Sequence, residues 1–322
     1  MNVHDSEYLD TCKEILLSNR FTPNDRTKVG RHRSPGHTMR FHQLDGFPML
    51  TSAKKSFKMV VAELEMFLKG ITHNSFLVDQ GVNIWTANAA SSGDLGPIYG
   101  AMWRGLHESQ PVDQLKKLME DLRRVPESSR HLVTGWIPDL LPTEGMSYDD
   151  NVACGKQCLP PCHALWQVHV FALDQEERHN LFAERCAGII LTADNKTEEQ
   201  WHKIYDAHDI PKYTASIQLY QRSADMFLGV PFNIASYSLL LHLICHSLNM
   251  VPWELIWNGG DCHIYSNHME QMVEQVDRKK HAPPSPQLVI KGEPKNLWDY
   301  TADDIELVNY NPMPAIKGAM AS

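Results

Sequence analysis

The stretch IASYSLLLHLICHSLNM, residues 234–250, constrains the fold more than any other part of the chain. It is the most apolar stretch, but two histidines and an asparagine interrupt it, and it is too short and too polar to cross a bilayer. It therefore predicts a buried helix. A chain of 322 residues with 43% hydrophobic composition can build one large core around such a helix. We predict a single domain over residues 1–322 and no membrane span.

Helix and strand patterns follow one another irregularly along the rest of the chain. Amphipathic spacing and cap residues predict helices in DSEYLDTCKEILLSNR (5–20), SFKMVVAELEMFLKG (56–70), PVDQLKKLMEDLRRVP (111–126) and SNHMEQMVEQVDR (266–278). Strands are predicted in HLVTGW (131–136), ALWQVHVFAL (164–173), ASIQLYQRS (215–223) and PQLVIKG (286–292). The basic segment at 26–42 predicts a loop that leads into a strand. Without regular βαβ repeats, the pattern favours an α+β fold over a doubly wound sheet.

The segment from Asp174 to Tyr213 differs from its surroundings in composition. It is rich in Glu, His and Lys, and it includes TADNKTEEQWHKIYDAHD at 192–209. It lies between two predicted strands. We predict an insertion at 174–213 that carries one small helix of its own, and we interpret its histidines as solvated side chains.

The overall charge limits the partners that the chain can bind. The formal net charge is −9, so the chain has no general attraction for nucleic acid or for an anionic membrane. A phosphate site must therefore be built locally from a few arginines. Seven cysteines is an odd number, and the N-terminal residues show no signal-peptide pattern. We expect reduced thiols in a cytoplasm.

Three of the cysteines, Cys154, Cys158 and Cys162, are spaced four apart in CGKQCLPPCH. A structural zinc site usually uses paired cysteines with two further ligands elsewhere. Pro160-Pro161 also prevents a helix that would put the three thiols on one face. We predict no metal and interpret Cys154 and Cys158 as ordinary thiols. Cys162 differs because His163 follows it and the prolines fix its backbone, although a Cys-His pair alone is weak evidence for a nucleophile.

The segment YQRSADMFLGVPFNIASY, residues 220–237, together with LPPCHALWQ, closely resembles the thymidylate synthase family. The resemblance continues through DGFPML, GDLGPIYGAMWR, GGDCHIYSNHMEQ and NYNPMPAIKGAMA. It covers most of the chain outside 174–213. It implies the α+β fold of that family, with a mixed sheet packed by helices, and an obligate homodimer whose subunits pack through the sheet.

The resemblance implies covalent chemistry at C5 of the uracil of dUMP. C5 is a poor nucleophile, and addition of a thiolate at C6 makes it enolate-like. Cys162 matches the family's thiolate, and Arg222 matches the arginine that helps to lower its pKa. The implied co-substrate is 5,10-methylenetetrahydrofolate, which donates a one-carbon unit to C5.

The later steps need a general acid and base network, which five more residues match. Glu63 matches the family's buried carboxylate, and Tyr99 matches its tyrosine near C5. Asp225 matches the residue that bonds the pterin. His163 and Asn233 match the groups that arrange water and hydrogen bonds around O4.

The resemblance also implies ligands for both substrates. The residues that match nucleotide ligands are Arg26, Arg130, Gln221, Arg222, Ser223, Asn233, His263 and Tyr265. Among these, Arg130 matches an arginine donated across the dimer interface, and His263 and Tyr265 match the pair that bonds the deoxyribose hydroxyl. The residues that match the folate site are Ile84, Trp85, Leu159, Asp225, Gly229 and Phe232.

Without the joint match, several of these positions have ordinary structural interpretations. Glu63 is then a surface residue of an apolar helix, and Asn233 is the cap of the following helix. His263 and Tyr265 are an alternating strand pair, and Arg130 is a surface arginine.

The residue type at Asn233 bears on which base is bound. A side-chain amide can donate to O4 and accept from N3–H, so it pairs with uracil. Relatives that act on cytosine resemble this family but carry an aspartate there. The amide therefore favours dUMP over dCMP.

Several positions depart from the family pattern, mostly on the folate side or the phosphate rim. Ser129 stands where a second arginine is usual, so one phosphate ligand is missing unless Lys28, Arg31 or Arg33 replaces it. The other departures are Ala53 at a usual lysine position, Thr86 at a usual acid, and Ser322 where the tail usually ends in an aliphatic residue.

These departures leave three hypotheses. If the site is dry, hydride transfer to the exocyclic methylene on C5 gives dTMP; if water reaches it, the product is 5-hydroxymethyl-dUMP, as in some viral members of the family. The second outcome would suit a bacteriophage protein in a host cytoplasm. Trp85 and Leu159 are retained, so we favour methylation. The third hypothesis is an inactive relative that binds nucleotide or RNA, and the acidic charge disfavours it.

Overall fold

The structure is a computed structural model that describes residues 2–18, 20–23, 29–186 and 196–319. In these ranges the helices are α1 (Val3–Leu17), α2 (Phe57–Leu68), α3 (Ser75–Val78), α4 (Tyr99–Trp103), α5 (Gln114–Arg124), α6 (Tyr148–Ala153), α7 (Gln175–Arg185), α8 (Glu198–Ala207), α9 (Val230–Leu248) and α10 (Met269–Asp277). The strands are β1 (Phe21–Thr22), β2 (Arg31–His42), β3 (Leu132–Thr134), β4 (His163–Ala172), β5 (Tyr213–Asp225), β6 (Val251–Tyr265), β7 (Gln287–Ile290) and β8 (Ile305–Val308).

A six-stranded sheet organises the chain, in the order β1-β2-β6-β5-β4-β3. The central strands β5 and β6 are parallel, and the other neighbours are antiparallel. Strands β7 and β8 form a separate antiparallel pair. The predicted α+β fold, with a mixed sheet packed by helices, is confirmed.

Helix α9 is the buried helix that the apolar stretch predicts. It begins after Gly229, with Pro231 in its first turn, where a missing N–H costs nothing. It ends at Asn249, whose φ of 50° is the left-handed conformation that often closes a helix. The helix is apolar on nearly all sides because it packs between α2 and the central strands β5 and β6. Within the described ranges, no helix is long and apolar enough to span a membrane.

The other predicted helices and strands are also confirmed. Helices α1, α2, α5 and α10 lie in the four amphipathic segments, and strands β3, β4, β5 and β7 lie in the four β-rich runs. The turn after α2 needs Gly70, because its φ is +74° and a Cβ there would lie 2.5 Å from Leu106 Cδ1.

The strand that the basic segment is predicted to lead into is confirmed as β2, which begins at Arg31. Strand β2 runs without a break from Arg31 through Pro35 and Gly36. Among the described residues, β1 pairs only with Arg31 and His32, so Pro35 lies beside an open edge where its missing N–H removes no ladder hydrogen bond. Residues 24–28 lie outside the described ranges.

Strand β6 was indicated from the sequence only at its end, by the alternation of His263 and Tyr265, and it extends back to Val251 through Gly259 and Gly260. Both glycines are required by close packing. A Cβ on Gly259 would lie 2.3 Å from the Trp257 ring and from Cys262 Sγ, and one on Gly260 would lie 2.8 Å from Tyr220 Oη.

The segment 174–213 contains two helices, α7 and α8, so the prediction of one small helix is wrong. The two helices pack around a small core of their own, formed by Phe182, Trp201, Tyr205 and Ile210. Aromatic residues on both helices allow this pairing. The charged composition of the segment did not indicate it. That the segment is an insertion remains a prediction, and residues 187–195 lie outside the described ranges.

Candidate active site

Cys162 lies at the entrance to β4, and its backbone is held from both sides. Its N–H donates to Tyr99 Oη over 2.9 Å, and its carbonyl accepts from the N–H of Arg222 over 2.7 Å. The Arg222 guanidinium donates to the carbonyls of Pro161 (3.1 Å) and Pro160 (3.3 Å). The guanidinium therefore lies against the loop that carries the Cys162 thiol.

The other two cysteines of the row belong to different surroundings. Cys154 is exposed at the end of α6, and Cys158 is buried. Burial raises the pKa of Cys158 to about 12, so its thiol stays protonated. Among the described residues, no group of three or more His, Cys, Asp or Glu is placed to hold a metal ion.

The turn GDLG at 93–96 positions Tyr99 beside Cys162. Gly96 has a φ of +65°, and a Cβ there would lie 2.1 Å from the Lys156 carbonyl, so only glycine allows this approach. Gln157 Nε2 donates to the Pro97 carbonyl over 3.0 Å and closes the same contact. Burial, with the neighbouring Cys162, raises the pKa of Tyr99 well above its ordinary value. The phenol is therefore protonated at neutral pH.

Glu63 projects from α2 toward the same place. Its carboxylate accepts from Trp85 Nε1 over 2.8 Å, and the Trp85 ring meets the Tyr99 ring edge-on at 6.2 Å. Burial raises the pKa of Glu63 to about 7, although the Trp85 hydrogen bond opposes the shift. Glu63 is thus partly buried beside Trp85 and Tyr99, and its catalytic role remains a prediction.

Asn233 lies inside α9, one turn after its start at Gly229, so the interpretation of Asn233 as a helix cap is also wrong. Its Oδ1 accepts from Gln221 Nε2 over 2.9 Å, and Gln221 Oε1 accepts from Trp257 Nε1 over 2.8 Å. An indole nitrogen can only donate. Trp257 thus fixes which end of the Gln221 amide is oxygen, and Gln221 in turn requires an oxygen at the Asn233 atom that it contacts.

His163 completes this group. It is buried, its ring lies 5.2 Å from that of Tyr99, and burial lowers its pKa to about 4 against a hydrogen bond with the Asn233 side chain. A neutral imidazole is therefore present at physiological pH. Its Nδ1 is buried without a hydrogen-bond partner.

Asp225 ends β5 and organises a tight turn before α9. Its Oδ1 accepts from the N–H groups of Phe227 (3.0 Å) and Leu228 (3.2 Å). Its backbone carbonyl accepts from the N–H of Gly229 (3.1 Å). Lys55 reaches the same turn and donates to the Phe227 carbonyl over 3.2 Å. Burial lowers the pKa of Lys55 to about 8, and the charge of Asp225 opposes that shift.

The end of β6 brings the predicted sugar ligands to the end of β5. His263 pairs in register with Asp225, and its ring lies 5.1 Å from the Tyr265 ring. Both side chains are buried. Burial lowers the pKa of His263, with Asp225 and Asp261 opposing the shift.

The remaining predicted ligands fall into three groups. Ile84, Leu159 and Phe232 are partly buried against the main core, and Ser223 pairs in register with Asp261. Arg130 is exposed just before β3. Arg26 lies outside the described residues.

Three residues near the site were missed from the sequence. Trp257 orients Gln221, Lys55 contacts the Asp225 turn, and Trp136 lies under the Arg222 guanidinium at 5.4 Å. A signal existed only for Trp257. Its spacing from His263 and Tyr265 in one strand puts all three on the same face.

Comparison with known proteins gives a consistent result. A family model described as "Thymidylate synthase" matches residues 6–322. A curated protein named thymidylate synthase from Francisella tularensis subsp. holarctica is 40% identical over 315 residues, which cover 98% of this chain and 99% of the relative. A Francisella philomiragia protein of the same name is 40% identical over 315 residues, with the same coverage. One from Coxiella burnetii is 39% identical over 318 residues, again covering 98% and 99%.

Proposed function

The chain belongs to the thymidylate synthase family, and we infer that it catalyses the reductive methylation of dUMP to dTMP with 5,10-methylenetetrahydrofolate as co-substrate. The arrangement around Cys162 carries this proposal. The thiol segment is held between Tyr99 and Arg222, with Glu63 and the Gln221–Asn233 pair nearby. A covalent addition to an electron-poor ring needs a fixed nucleophile, a cation beside it and groups that exchange protons.

Cys162 is the proposed nucleophile. The Arg222 charge stabilises its thiolate, whose sulfur forms a bond to C6 of uracil. The electron pair of the C5–C6 double bond moves toward O4, where Asn233 Nδ2 donates a hydrogen bond. Asn233 Oδ1, already accepting from Gln221, has its second lone pair for N3–H. The co-substrate would supply the methylene group and the hydride. When C5 bonds to the methylene carbon, the C5 proton leaves to a base of the site and the folate amine departs, and addition of the hydride then expels the Cys162 sulfur from C6.

The proton transfers are assigned by protonation state. Glu63, with a pKa of about 7, can both take up and release a proton near neutral pH. Tyr99 is a protonated phenol, so we assign it two hydrogen bonds. Its oxygen accepts from the Cys162 N–H and positions the Cys162 backbone, and its O–H donates to an acceptor near C5. The neutral His163 imidazole contributes hydrogen bonds near O4.

We assign the folate site to three partly buried apolar residues and to Asp225. Ile84, Leu159 and Phe232 offer partly buried apolar surface, and Gly229 leaves room next to Asp225. Trp85 is only 8% exposed and bonds Glu63, which supports a dry site at C5. Methylation rather than hydroxymethylation follows from water exclusion.

The test is the identity of both products. Incubation with dUMP and 5,10-methylenetetrahydrofolate should give dTMP and dihydrofolate in equal amounts, measured by mass spectrometry and by dihydrofolate absorbance. Tetrahydrofolate with 5-hydroxymethyl-dUMP would refute the methylation step.

Cys162→Ser should abolish turnover, and Cys154→Ser, a change at an exposed thiol of the same row, should leave it intact. With 5-fluoro-dUMP and the co-substrate, the protein should form a covalent adduct on Cys162. An unmodified Cys162 would favour an inactive binding protein instead.

We also propose a homodimer that forms through the sheet face opposite α9. A chain of side-chain hydrogen bonds crosses four strands on that face: His169–Gln218 (3.2 Å), Gln218–Asn258 (2.8 Å) and Asn258–Thr38 (2.8 Å). Tyr220 lies on the same face and is 43% exposed. In this dimer Arg130 would reach the nucleotide of the partner. Sedimentation of the protein at several concentrations tests the assembly.

A further inference from the structure

Two arginines of β2 converge on one carboxylate beside the predicted sugar ligands. Arg31 Nη1 lies 3.2 Å from Asp261 Oδ2, and Arg33 Nε lies 2.7 Å from Asp261 Oδ1. The start of β2 is anchored, because the Gly30 carbonyl accepts from both the N–H (2.8 Å) and the Oγ (2.9 Å) of Ser266. Two positive charges meet one negative charge, so the cluster carries an excess positive charge.

The strand register puts this cluster beside Ser223. Asp261 pairs with Ser223 of β5 on one side and with Pro35 of β2 on the other. Paired residues project on the same side of a sheet, as do residues two apart in a strand. Arg33, opposite His263, and Arg31 therefore lie on the face that carries the Ser223 hydroxyl.

The guanidiniums keep hydrogen-bonding capacity for a further anion. Each ion pair with Asp261 uses one nitrogen, and a guanidinium has five N–H donors. Arg31 Nε is buried and has no hydrogen-bond partner. A buried donor of this kind calls for an acceptor, and a phosphate monoester offers three oxygens and a charge close to −2.

We propose that Arg31 and Arg33, held in place by Asp261, form a cationic side of the site for the dUMP phosphate, on the face of the sheet that carries Ser223. This proposal rests on the proposed function. Ser129 stands where the family has a second arginine, and Arg31 and Arg33 would supply the positive charge that is missing there. Asp261 keeps the guanidiniums ordered, which lowers the entropy cost of binding.

The experiment compares a ligand that has the phosphate with one that lacks it. Dissociation constants for dUMP and for deoxyuridine are measured by calorimetric titration for the wild type, Arg31→Gln and Arg33→Gln. We expect each substitution to weaken dUMP binding by about tenfold and to leave deoxyuridine binding unchanged. The dependence of dUMP affinity on salt should become shallower in both variants. Arg123→Gln, at an exposed arginine of α5, is the matched control and should change neither constant.

Three results would overturn the proposal. One is unchanged dUMP affinity in both variants, and another is an equal loss for dUMP and deoxyuridine, which would indicate a distorted pocket. The third is a higher KM for the co-substrate alone, which would assign the arginines to the carboxylates of the folate. If the wild type itself fails to bind dUMP, the proposed function is refuted. If the wild type binds dUMP and the variants bind it equally tightly, only the proposed role of Arg31 and Arg33 is refuted.

Discussion

At the scale of single residues, the orientation of one amide decides which base the site can accept. An asparagine alone could present either its oxygen or its nitrogen to the ring. The bonds from Trp257 to Gln221 and from Gln221 to Asn233 remove that ambiguity, because the first donor in the series cannot act as an acceptor. Selectivity for uracil therefore depends on Trp257, which is linked to the base only through Gln221 and Asn233.

Trp257→Phe tests this hydrogen-bond series. Without the indole N–H, the Gln221 side-chain amide can flip by 180°, and it then no longer requires an oxygen at Asn233. We expect kcat/KM for dUMP to fall by about tenfold and its ratio to kcat/KM for dCMP to shrink. Trp166→Phe is the matched control, because Trp166 is also fully buried but its Nε1 has no hydrogen-bond partner. Equal effects of the two substitutions would contradict a role of this hydrogen-bond series in base selection.

Glu63 predicts a pH dependence of stability. Its pKa is about 7 in the folded protein against 4.5 ordinarily, so the folded state binds this proton more tightly than the unfolded state does. Its contribution to the free energy of unfolding is complete below pH 4.5 and is lost as the pH rises through 7. Glu63→Gln cannot ionise and should become more stable than the wild type at alkaline pH, by at most about 3 kcal/mol, while turnover falls.

Urea unfolding of both proteins at about pH 5 and about pH 8 measures this difference. The control is Glu120→Gln, at an exposed glutamate of α5, for which the difference from the wild type should not vary with pH. A Glu63→Gln variant whose relative stability is the same at both pH values would show that the carboxyl is not desolvated.

How far the site could be predicted depends on whether a residue acts through its own motif or through tertiary contacts. Cys162, Tyr99 and Asn233 stand in long motifs, so the sequence points to them directly. Lys55 could not be found, because its ammonium reaches the Asp225 turn only through the fold. Arg31 and Arg33 were visible as candidates, but their meeting at Asp261 depends on the register of β2 with β6.

At the scale of elements, packing explains residues that are unusual in strands. Gly259 and Gly260 lie within β6, where the Trp257 ring and Tyr220 Oη fill the space of any Cβ. Pro35 lies within β2, beside an open edge. By contrast α9 was predictable, because its apolar composition allows only a buried position.

The pair of helices α7 and α8 is predicted to depend on one buried arginine. Arg178 is 3% exposed and donates to the carbonyls of Pro211 (3.1 Å) and Ile210 (3.0 Å) and to Asp206 (2.8 Å). Arg178→Gln leaves these acceptors unpaired and should lower the local stability by about 2–4 kcal/mol. We expect faster hydrogen exchange in residues 174–213 and unchanged kcat for dUMP.

Arg185→Gln, at an exposed arginine at the end of α7, is the control for this element and should exchange like the wild type. Because α7 and α8 have a core separate from the main one, the loss should stay local. Loss of dUMP turnover in Arg178→Gln, with intact Arg185→Gln, would show that the segment supports the active site instead.

At the scale of the whole molecule, the position of Arg130 bears on whether one chain holds a complete site. Its side chain is exposed before the edge strand β3, whereas Arg222 and Ser223 lie on β5, two strands away. We propose that Arg130 serves the nucleotide of another copy. The proposed dimer through the sheet face would bring the two together.

Mixing two inactive variants tests this arrangement. Cys162→Ala lacks the nucleophile, and Arg130→Ala should bind dUMP about tenfold to a hundredfold more weakly, so that it is inactive at low dUMP. If Arg130 serves the partner's site, a mixed dimer has one site with Cys162 from one subunit and Arg130 from the other. Random reassociation in equal amounts should then restore about one quarter of wild-type activity. If Arg130 acts within its own subunit, one site of the mixed dimer lacks Cys162 and the other lacks Arg130. The mixture then stays inactive.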